Sequence, residues 1–180
     1  MTDTQILSWI KKNLSSFIAA ACAGTFFKES WLAGLTCRET GDLIARYAPS
    51  TQDIYQIAAM MKGDYSLRPG DAQKTYHGYG FTQIDIHSFP RFVSSGDWKL
   101  PERVYPMTVA ILNDKKTYLT HRFVALPDDK LARYILAAYN AGEGREAMVI
   151  DRKLDPDAYT TGHNYGRQVL EFAAIYEGLN

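Results

Sequence analysis

The sequence predicts a mainly α-helical fold with one short extended or β segment. Apolar residues recur at intervals of three and four in several segments, which is the spacing that places them on one face of a helix. Only residues 81–86 (FTQIDI) alternate between apolar and polar residues, as a strand with one buried face does. A chain of 180 residues without repeats or linkers is expected to form one domain.

Turn-forming and capping residues delimit the predicted helices. The helices are expected at residues 4–22, 29–40 and 54–61, then from near Pro106 to about 121, and at 128–141 and 164–176, with residues 101–105 leading into the fourth. Gly41 is the expected stop of the second helix, and Gly142 and Gly144 are the expected stop of the fifth. Residues 63–80 contain four glycines and Pro69, and they are predicted to form a loop.

The first predicted helix has an alternative interpretation. Lys11 and Lys12 followed by the apolar stretch 14–22 are similar to a secretory signal. The helical spacing of Ile6 and Ile10 ahead of that stretch favours a folded helix instead. No apolar run approaches the roughly 20 residues that cross a bilayer, so no membrane span is expected.

Charge and cysteine content exclude several classes of function. Twenty basic residues balance twenty acidic ones, so there is no electrostatic case for nucleic acid as a partner. Cys22 and Cys37 either pair or remain two buried thiols, and the spacing leaves both possibilities open. No Cys or His spacing is typical of a metal site, so neither a metal nor a cofactor is expected.

The second predicted helix carries an acid on its apolar face. At about 100° per residue, Glu39 falls in the same stripe as Trp31 and Leu35. Burial raises the pKa of a carboxyl group, and a carboxylic acid that stays protonated near neutral pH is what a glycosidase needs. The alternative is a structural role at a frayed helix end, with Glu39 paired to Arg38 or Arg46.

Three segments in order carry a family resemblance: 31–41 (WLAGLTCRETG), 77–90 (HGYGFTQIDIHSFP) and 137–144 (AAYNAGEG). Together they resemble the goose-type lysozymes and the related lytic transglycosylases. Those proteins share a helix ending in Arg-Glu, a Gly-x-Gly-x-x-Gln segment and an Ala-Tyr-Asn-Ala-Gly motif. The resemblance spans about residues 25–176, and it implies a lysozyme-like helical domain whose short β segment lines the substrate cleft.

The resemblance also implies roles for individual residues. Glu39 matches the catalytic acid, and Asp85 matches the goose-type aspartate that positions the attacking water. The other positions expected at the sugar cleft are Gln83, Gly80, Tyr139 and Asn140. Asp85 has an alternative role as a turn residue, and Tyr139 has one as a core residue with a hydrogen-bond partner. Tyr165 in the last helix could equally face the cleft or the core.

The sequence departs from the goose-type pattern in one region. Goose-type enzymes carry another aspartate shortly before the Gly-x-Gly, where this chain has His77. Asp71 is the nearer upstream candidate to assist the water, and Asp64 is the alternative. Residues 42–76 are predicted to be an insertion that carries an extra helix.

The resemblance implies a peptidoglycan muramidase. It would hydrolyse the β-1,4 bond between N-acetylmuramic acid and N-acetylglucosamine with inversion, Glu39 being the general acid. One alternative is a lytic transglycosylase, which forms 1,6-anhydromuramic ends, and another is a non-catalytic glycan-binding module. The expected partner is the peptidoglycan glycan strand, and the expected state is a monomer. A cell-wall substrate implies a periplasmic or extracellular location, although no clear signal peptide is seen.

Overall fold

The structure, a computed structural model, describes residues 1–123, 126 and 128–179. Within these residues the predicted mainly α-helical fold with a short β segment is confirmed. The helices are α1 Asp3–Cys22, α2 Glu29–Tyr47, α3 Ile54–Met60, α4 Pro90–Ser95, α5 Pro101–Arg122, α6 Asp128–Ala141, α7 Glu143–Asp151 and α8 Tyr165–Glu177. The strands are β1 Lys62–Ser66, β2 Thr75–Tyr79 and β3 Ile84–Asp85, paired antiparallel in the order β1-β2-β3.

Helix α1 forms where the first helix was predicted. Thr2 caps it through a reciprocal pair of hydrogen bonds with Gln5, which satisfies two of the free amides at the helix start. The buried face carries Ile6, Ile10 and Leu14, and it packs against α2 and α5. No helix among the described residues is both long and apolar enough to cross a membrane.

Helix α2 lies between α1 and α8 and contributes heavily to the core. Gly34 allows α8 to approach closely, because a Cβ there would lie 2.3 Å from the carbonyl oxygen of Val169. The prediction that Gly41 ends this helix is wrong. The helix continues to Tyr47 because Leu43 and Ile44 extend the apolar face into the core. Glu39 therefore lies in the body of the helix, not at a frayed end.

Residues 63–80 are not all loop as predicted, since half of them, residues 63–66 and 75–79, belong to the paired strands β1 and β2. Gly63 pairs with Gly78 in the register, and Tyr65 pairs with Tyr76, their ring centroids 4.9 Å apart. Cross-strand aromatic pairs of this kind stabilise a hairpin even where glycine weakens the strands. Of the segment 81–86, only Ile84 and Asp85 belong to a strand.

Two other expectations meet different outcomes. Cys22 and Cys37 are buried free thiols, so the pairing alternative is wrong. Burial, together with the charge of Glu29, raises the pKa of the Cys22 thiol to about 11. The predicted fifth helix ends as expected before Gly142, where φ is 86°, but α7 follows at once and was not predicted.

Candidate active site

A cavity of about 790 Å³ opens where α2, the sheet and α6 meet. Its lining is dominated by charged and polar groups. The ionisable residues that line it are Glu39, Asp42, Arg46, Asp64, Arg68, Asp85 and Tyr139. The volume is within the usual range for ligand sites, roughly 300–1,000 Å³. A polar substrate with several hydrogen-bonding groups suits this lining better than an apolar one.

Glu39 presents its carboxyl group to this cavity from the body of α2. Burial raises its pKa to about 7, while a hydrogen bond from Tyr165 and the charge of Arg38 oppose that rise. The Tyr165 hydroxyl donates that hydrogen bond to Oε1. The sequence places Glu39 on the apolar stripe of α2, and the burial of its carboxyl group follows from that position. Near neutral pH a large fraction of Glu39 is therefore protonated and able to give up a proton.

Two tyrosines lie near Glu39, and they have different partners. The Tyr139 hydroxyl donates to the carbonyl oxygen of Thr82 at 2.9 Å, so Tyr139 lines the cavity without bonding the acid. Tyr165 is fully buried at the start of α8 and bonds the acid directly. Burial first, and then the charge of Glu39, raise the pKa of both hydroxyls. Both tyrosines therefore stay protonated donors across the physiological range.

Asp85 lines the same cavity, where Arg68 and a backbone amide hold it. Oδ2 accepts a hydrogen bond from Nη1 of Arg68 at 2.5 Å, and Oδ1 accepts one from the amide of Ser88 at 2.9 Å. Partial burial raises the pKa of this carboxyl, but these two partners outweigh it and the pKa lies below its ordinary value of 3.8. Near neutral pH, Asp85 is therefore ionised while a large fraction of Glu39 is protonated.

The structure separates the two aspartates proposed to assist the water. Asp64 lines the cavity and pairs with Nη2 of Arg68. Asp71 is not among the residues that line the cavity; its carboxylate accepts the backbone amide of Arg68 at 2.7 Å and faces His77 and His87. The prediction that Asp71 lies at the cleft is therefore corrected. Its carboxylate does not line the cavity and instead accepts a hydrogen bond from the turn that presents Arg68.

Gln83 lines the cavity, and its side chain covers a pair of glycines. A Cβ at Gly63 or Gly78 would lie 2.1 or 2.4 Å from Oε1 of Gln83, so a side chain at either position would displace the Gln83 amide from its place over the strands. Gly80, by contrast, faces the interior, where a Cβ would lie 3.0 Å from the carbonyl oxygen of Trp98. The expectation that Gly80 lines the cleft is corrected, and Gly78 takes that place.

Asn140 lines the cavity from the end of α6, as the resemblance implied. Its Oδ1 accepts a hydrogen bond from the amide of Thr161 at 2.8 Å, and Thr161 also lines the cavity. Asn140 is exposed, and its side-chain NH₂ group is of a type that can donate to a ligand. Asn140 thus joins α6 to the segment that leads into α8.

Sequence reasoning missed Arg68 and left Tyr165 undecided. Nothing in the sequence around Arg68, which lies in a Gly- and Pro-containing stretch, indicated that it would join Asp64 to Asp85. Tyr165 stands in the last predicted helix, where the sequence left both the cleft and the core open to it. A second cluster, formed by Asp71 and two histidines, holds groups that can bind a metal.

The cavity thus combines one acid that is largely protonated near neutral pH with two carboxylates, Asp64 and Asp85, whose pKa values Arg68 helps to lower. Such pairs, whose surroundings push their pKa values apart, are typical of acid-base sites. The family models searched include none that matches this chain, and no curated protein matches it either.

Proposed function

We propose that this protein cleaves the β-1,4 bond between N-acetylmuramic acid and N-acetylglucosamine in peptidoglycan, with Glu39 as the general acid. The observation that carries the proposal is the pKa of about 7 for a carboxyl group that opens on a polar cavity. Cleavage of a glycosidic bond requires a proton on the departing oxygen, and a carboxyl group with a raised pKa supplies it.

Hydrolysis is the first form of this proposal. An inverting enzyme needs a second carboxylate to activate water on the opposite face of the sugar, and Asp85 is ionised and lines the same cavity. Gln83 and Asn140 would position the sugar through their amide groups. Tyr165 would hold Glu39 in place through its hydrogen bond.

Lytic transglycosylation is the second form, and the contacts of Asp85 favour it. Arg68 occupies one carboxylate oxygen and the Ser88 amide occupies the other, which reduces the capacity of Asp85 to take a proton from water. In this form the sugar's own hydroxyl bonds to the anomeric carbon as the bond to the departing oxygen breaks, so no water is activated. Glu39, ionised by giving its proton to the departing oxygen, takes the proton of that hydroxyl. Glu39 remains the only acid required.

A digest of purified peptidoglycan, followed by mass spectrometry of the muropeptides, tests the proposal. Reducing ends indicate hydrolysis, and 1,6-anhydro ends indicate transglycosylation. Glu39→Gln, assayed in parallel, keeps the shape of the side chain and removes the proton. If wild-type protein binds the glycan but releases no fragments, the chain is a binding module and the catalytic proposal fails.

A further inference from the structure

Asp71, His77 and His87 form a cluster that is separate from the residues lining the cavity. One potential ligand atom from each of the three lies within 4.8 Å of the other two. We propose that this cluster binds a divalent transition-metal ion of the Zn²⁺ class. The proposal does not depend on the function assigned to the cavity.

The spacing of the ligand atoms is close to what such an ion requires. Nε2 of His77 lies 3.2 Å from Oδ2 of Asp71, and Nε2 of His87 lies 3.3 Å from Oδ1. Zn²⁺ binds nitrogen and oxygen ligands at about 2.0–2.2 Å, so adjacent ligands of a tetrahedral ion are about 3.3 Å apart. The ligand atoms all lie within 4.8 Å of one another, so an ion can enter once the widest pair closes toward that spacing.

The two imidazole rings approach the same carboxylate. The rings of His77 and His87 stack with centroids 5.2 Å apart at an angle of 17°, and Nε2 of each lies near Asp71, so the rings must turn toward each other for both nitrogens to face one ion. Nε2 of His77 also donates to the carbonyl oxygen of Ser66 at 3.2 Å, so metal binding replaces this hydrogen bond and leaves the ring proton on Nδ1. Two imidazoles and a carboxylate suit Zn²⁺, whereas Mg²⁺ and Ca²⁺ prefer sites made of oxygen alone.

The three ligands come from different segments that are already held together. Asp71 lies between β1 and β2, His77 lies on β2, and His87 follows β3. The amide of Ile86 donates to the carbonyl oxygen of His77 at 2.9 Å, which fixes the last two segments to each other. No metal site is predicted from the sequence, because the three ligands match no recognised spacing. They come together only when the strands of the sheet pair.

The second ring nitrogen of His77 affects the expected affinity for the ion. Metal-binding histidines usually donate their second ring nitrogen to a partner, and loss of that partner costs about 10- to 100-fold in affinity. Nδ1 of His77 is buried and has no hydrogen-bond partner among the described residues. We therefore expect an affinity about 10- to 100-fold weaker than that of a site in which this nitrogen has a partner.

Metal binding would also stabilise the turn that carries Arg68. Oδ2 of Asp71 accepts the backbone amide of Arg68, and the guanidinium of Arg68 holds Asp64 and Asp85 at the cavity. An ion bound at Asp71 fixes this turn against β2 and the segment after β3. Its role is therefore structural support, and it takes no part in the chemistry of the cavity.

Isothermal titration calorimetry with ZnCl₂ tests the proposal, using the full chain without a histidine tag and after treatment with a chelator. We expect one ion per chain for wild type, and no saturable binding of MgCl₂. His87→Ala is the informative variant, because the His87 side chain is 46% exposed and its loss leaves the core intact. We expect it to weaken Zn²⁺ binding by at least ~10-fold, and Asp71→Asn to do the same.

His121→Ala is the matched control, since His121 is exposed and lies outside the cluster. It should bind Zn²⁺ as wild type does. In thermal unfolding, Zn²⁺ should raise the melting temperature of wild type and His121→Ala more than that of His87→Ala. Absence of saturable binding in wild type, or equal affinity in wild type and His87→Ala, overturns the proposal.

Discussion

Glu39 and Glu146 are two acids that burial keeps protonated near neutral pH, yet their surroundings differ. Burial raises the pKa of Glu39 to about 7 and that of Glu146 to about 8. Glu39 opens on the cavity and accepts a hydrogen bond from Tyr165. Glu146 is fully buried on α7, and neither of its oxygens has a hydrogen-bond partner among the described residues. A raised pKa alone therefore does not mark a proton donor; access to a ligand does.

The charges around Glu146 explain why its pKa rises further. Burial contributes most, and the charges of Asp157 and Asp155 add to it, while Arg133 opposes them. Asp157 is itself buried, but it accepts hydrogen bonds from Arg133 and from the amides of Gly166 and Arg167 at the start of α8. Asp157 thus supports a helix terminus, and Glu146 lies beside it without a partner of its own.

The largest expected effect is on the rate of cleavage, and it should occur when Glu39 is replaced but not when Glu146 is. Glu39→Gln should lower the rate of peptidoglycan cleavage at least ~100-fold, the usual contribution of a general acid. Glu146→Gln is the matched control, since it makes the same chemical change at an acid with no access to the cavity. Its rate should stay near that of wild type. Turbidity loss of a cell-wall suspension measures both, and a Glu39→Gln rate near that of wild type would refute the assigned role.

A second, smaller effect concerns the ionised carboxylate of the cavity. If Asp85 activates water, Asp85→Asn should lower turnover by about 10-fold or more. Asp64→Asn is the control, because Asp64 also pairs with Arg68 and its positive φ of 49° suits asparagine. Equal losses in the two variants would mean that Asp85 acts only by neutralising Arg68. No loss in either, together with anhydro ends, would favour transglycosylation.

A third prediction uses the hydrogen bond that Glu39 has and Glu146 lacks. Wild-type activity should fall as pH rises through about 7, where Glu39 loses its proton. Tyr165→Phe removes a bond that lowers this pKa, so the alkaline limit should move to higher pH. The rate at the optimum should drop by roughly 3- to 10-fold, since one hydrogen bond contributes about 1 kcal/mol.

The control for this variant is Tyr105→Phe. Tyr105 is equally buried, and its hydroxyl lies 3.2 Å from that of Thr36, away from the cavity. Its loss should leave the pH profile of kcat/KM unchanged. If Tyr165→Phe and Tyr105→Phe have the same profile as wild type, the bond from Tyr165 does not tune Glu39.

The helices and the position of Glu39 could be predicted from the sequence because both depend on local spacing. The apolar periodicity gave the course of α1 and α3 closely, and it placed Glu39 on the buried stripe of α2. The extent of α2 was underestimated because a glycine was taken as a stop. Gly41 has ordinary helical geometry there, without the positive φ that ends many helices.

The contacts of the sheet could not be predicted because they join residues that are distant in sequence. Arg68 meets Asp85 only because the hairpin folds back on itself, and its glycines looked like a loop. Asp71 is nearer than Asp64 to the Gly-x-Gly segment along the chain, which favours it as the aspartate that assists the water. The turn directs Asp71 toward two histidines instead. Distance along the chain is a poor guide where strands pair.

The smallest effect on activity, and a clear effect on stability, is expected for Glu146→Gln. The pKa of Glu146 is about 8 in the folded chain and about 4.5 when exposed, so the folded state binds the extra proton between these values. Stability contributed by the protonated acid is therefore fully present below pH 4.5 and is lost as pH rises through about 8.

The amide of Glu146→Gln cannot ionise, so the variant should match wild type at pH 5 and unfold at a higher temperature at pH 9. The difference between these two pKa values corresponds to an expected gain at pH 9 of about 5 kcal/mol, or roughly 10–20 °C in melting temperature. Glu39→Gln should show a smaller gain, because its pKa rises less, and that gain is complete by about pH 7, so the two acids can be distinguished by where the change ends. A melting-temperature difference between Glu146→Gln and wild type that is the same at pH 5 and pH 9 would mean that Glu146 is not a buried neutral acid.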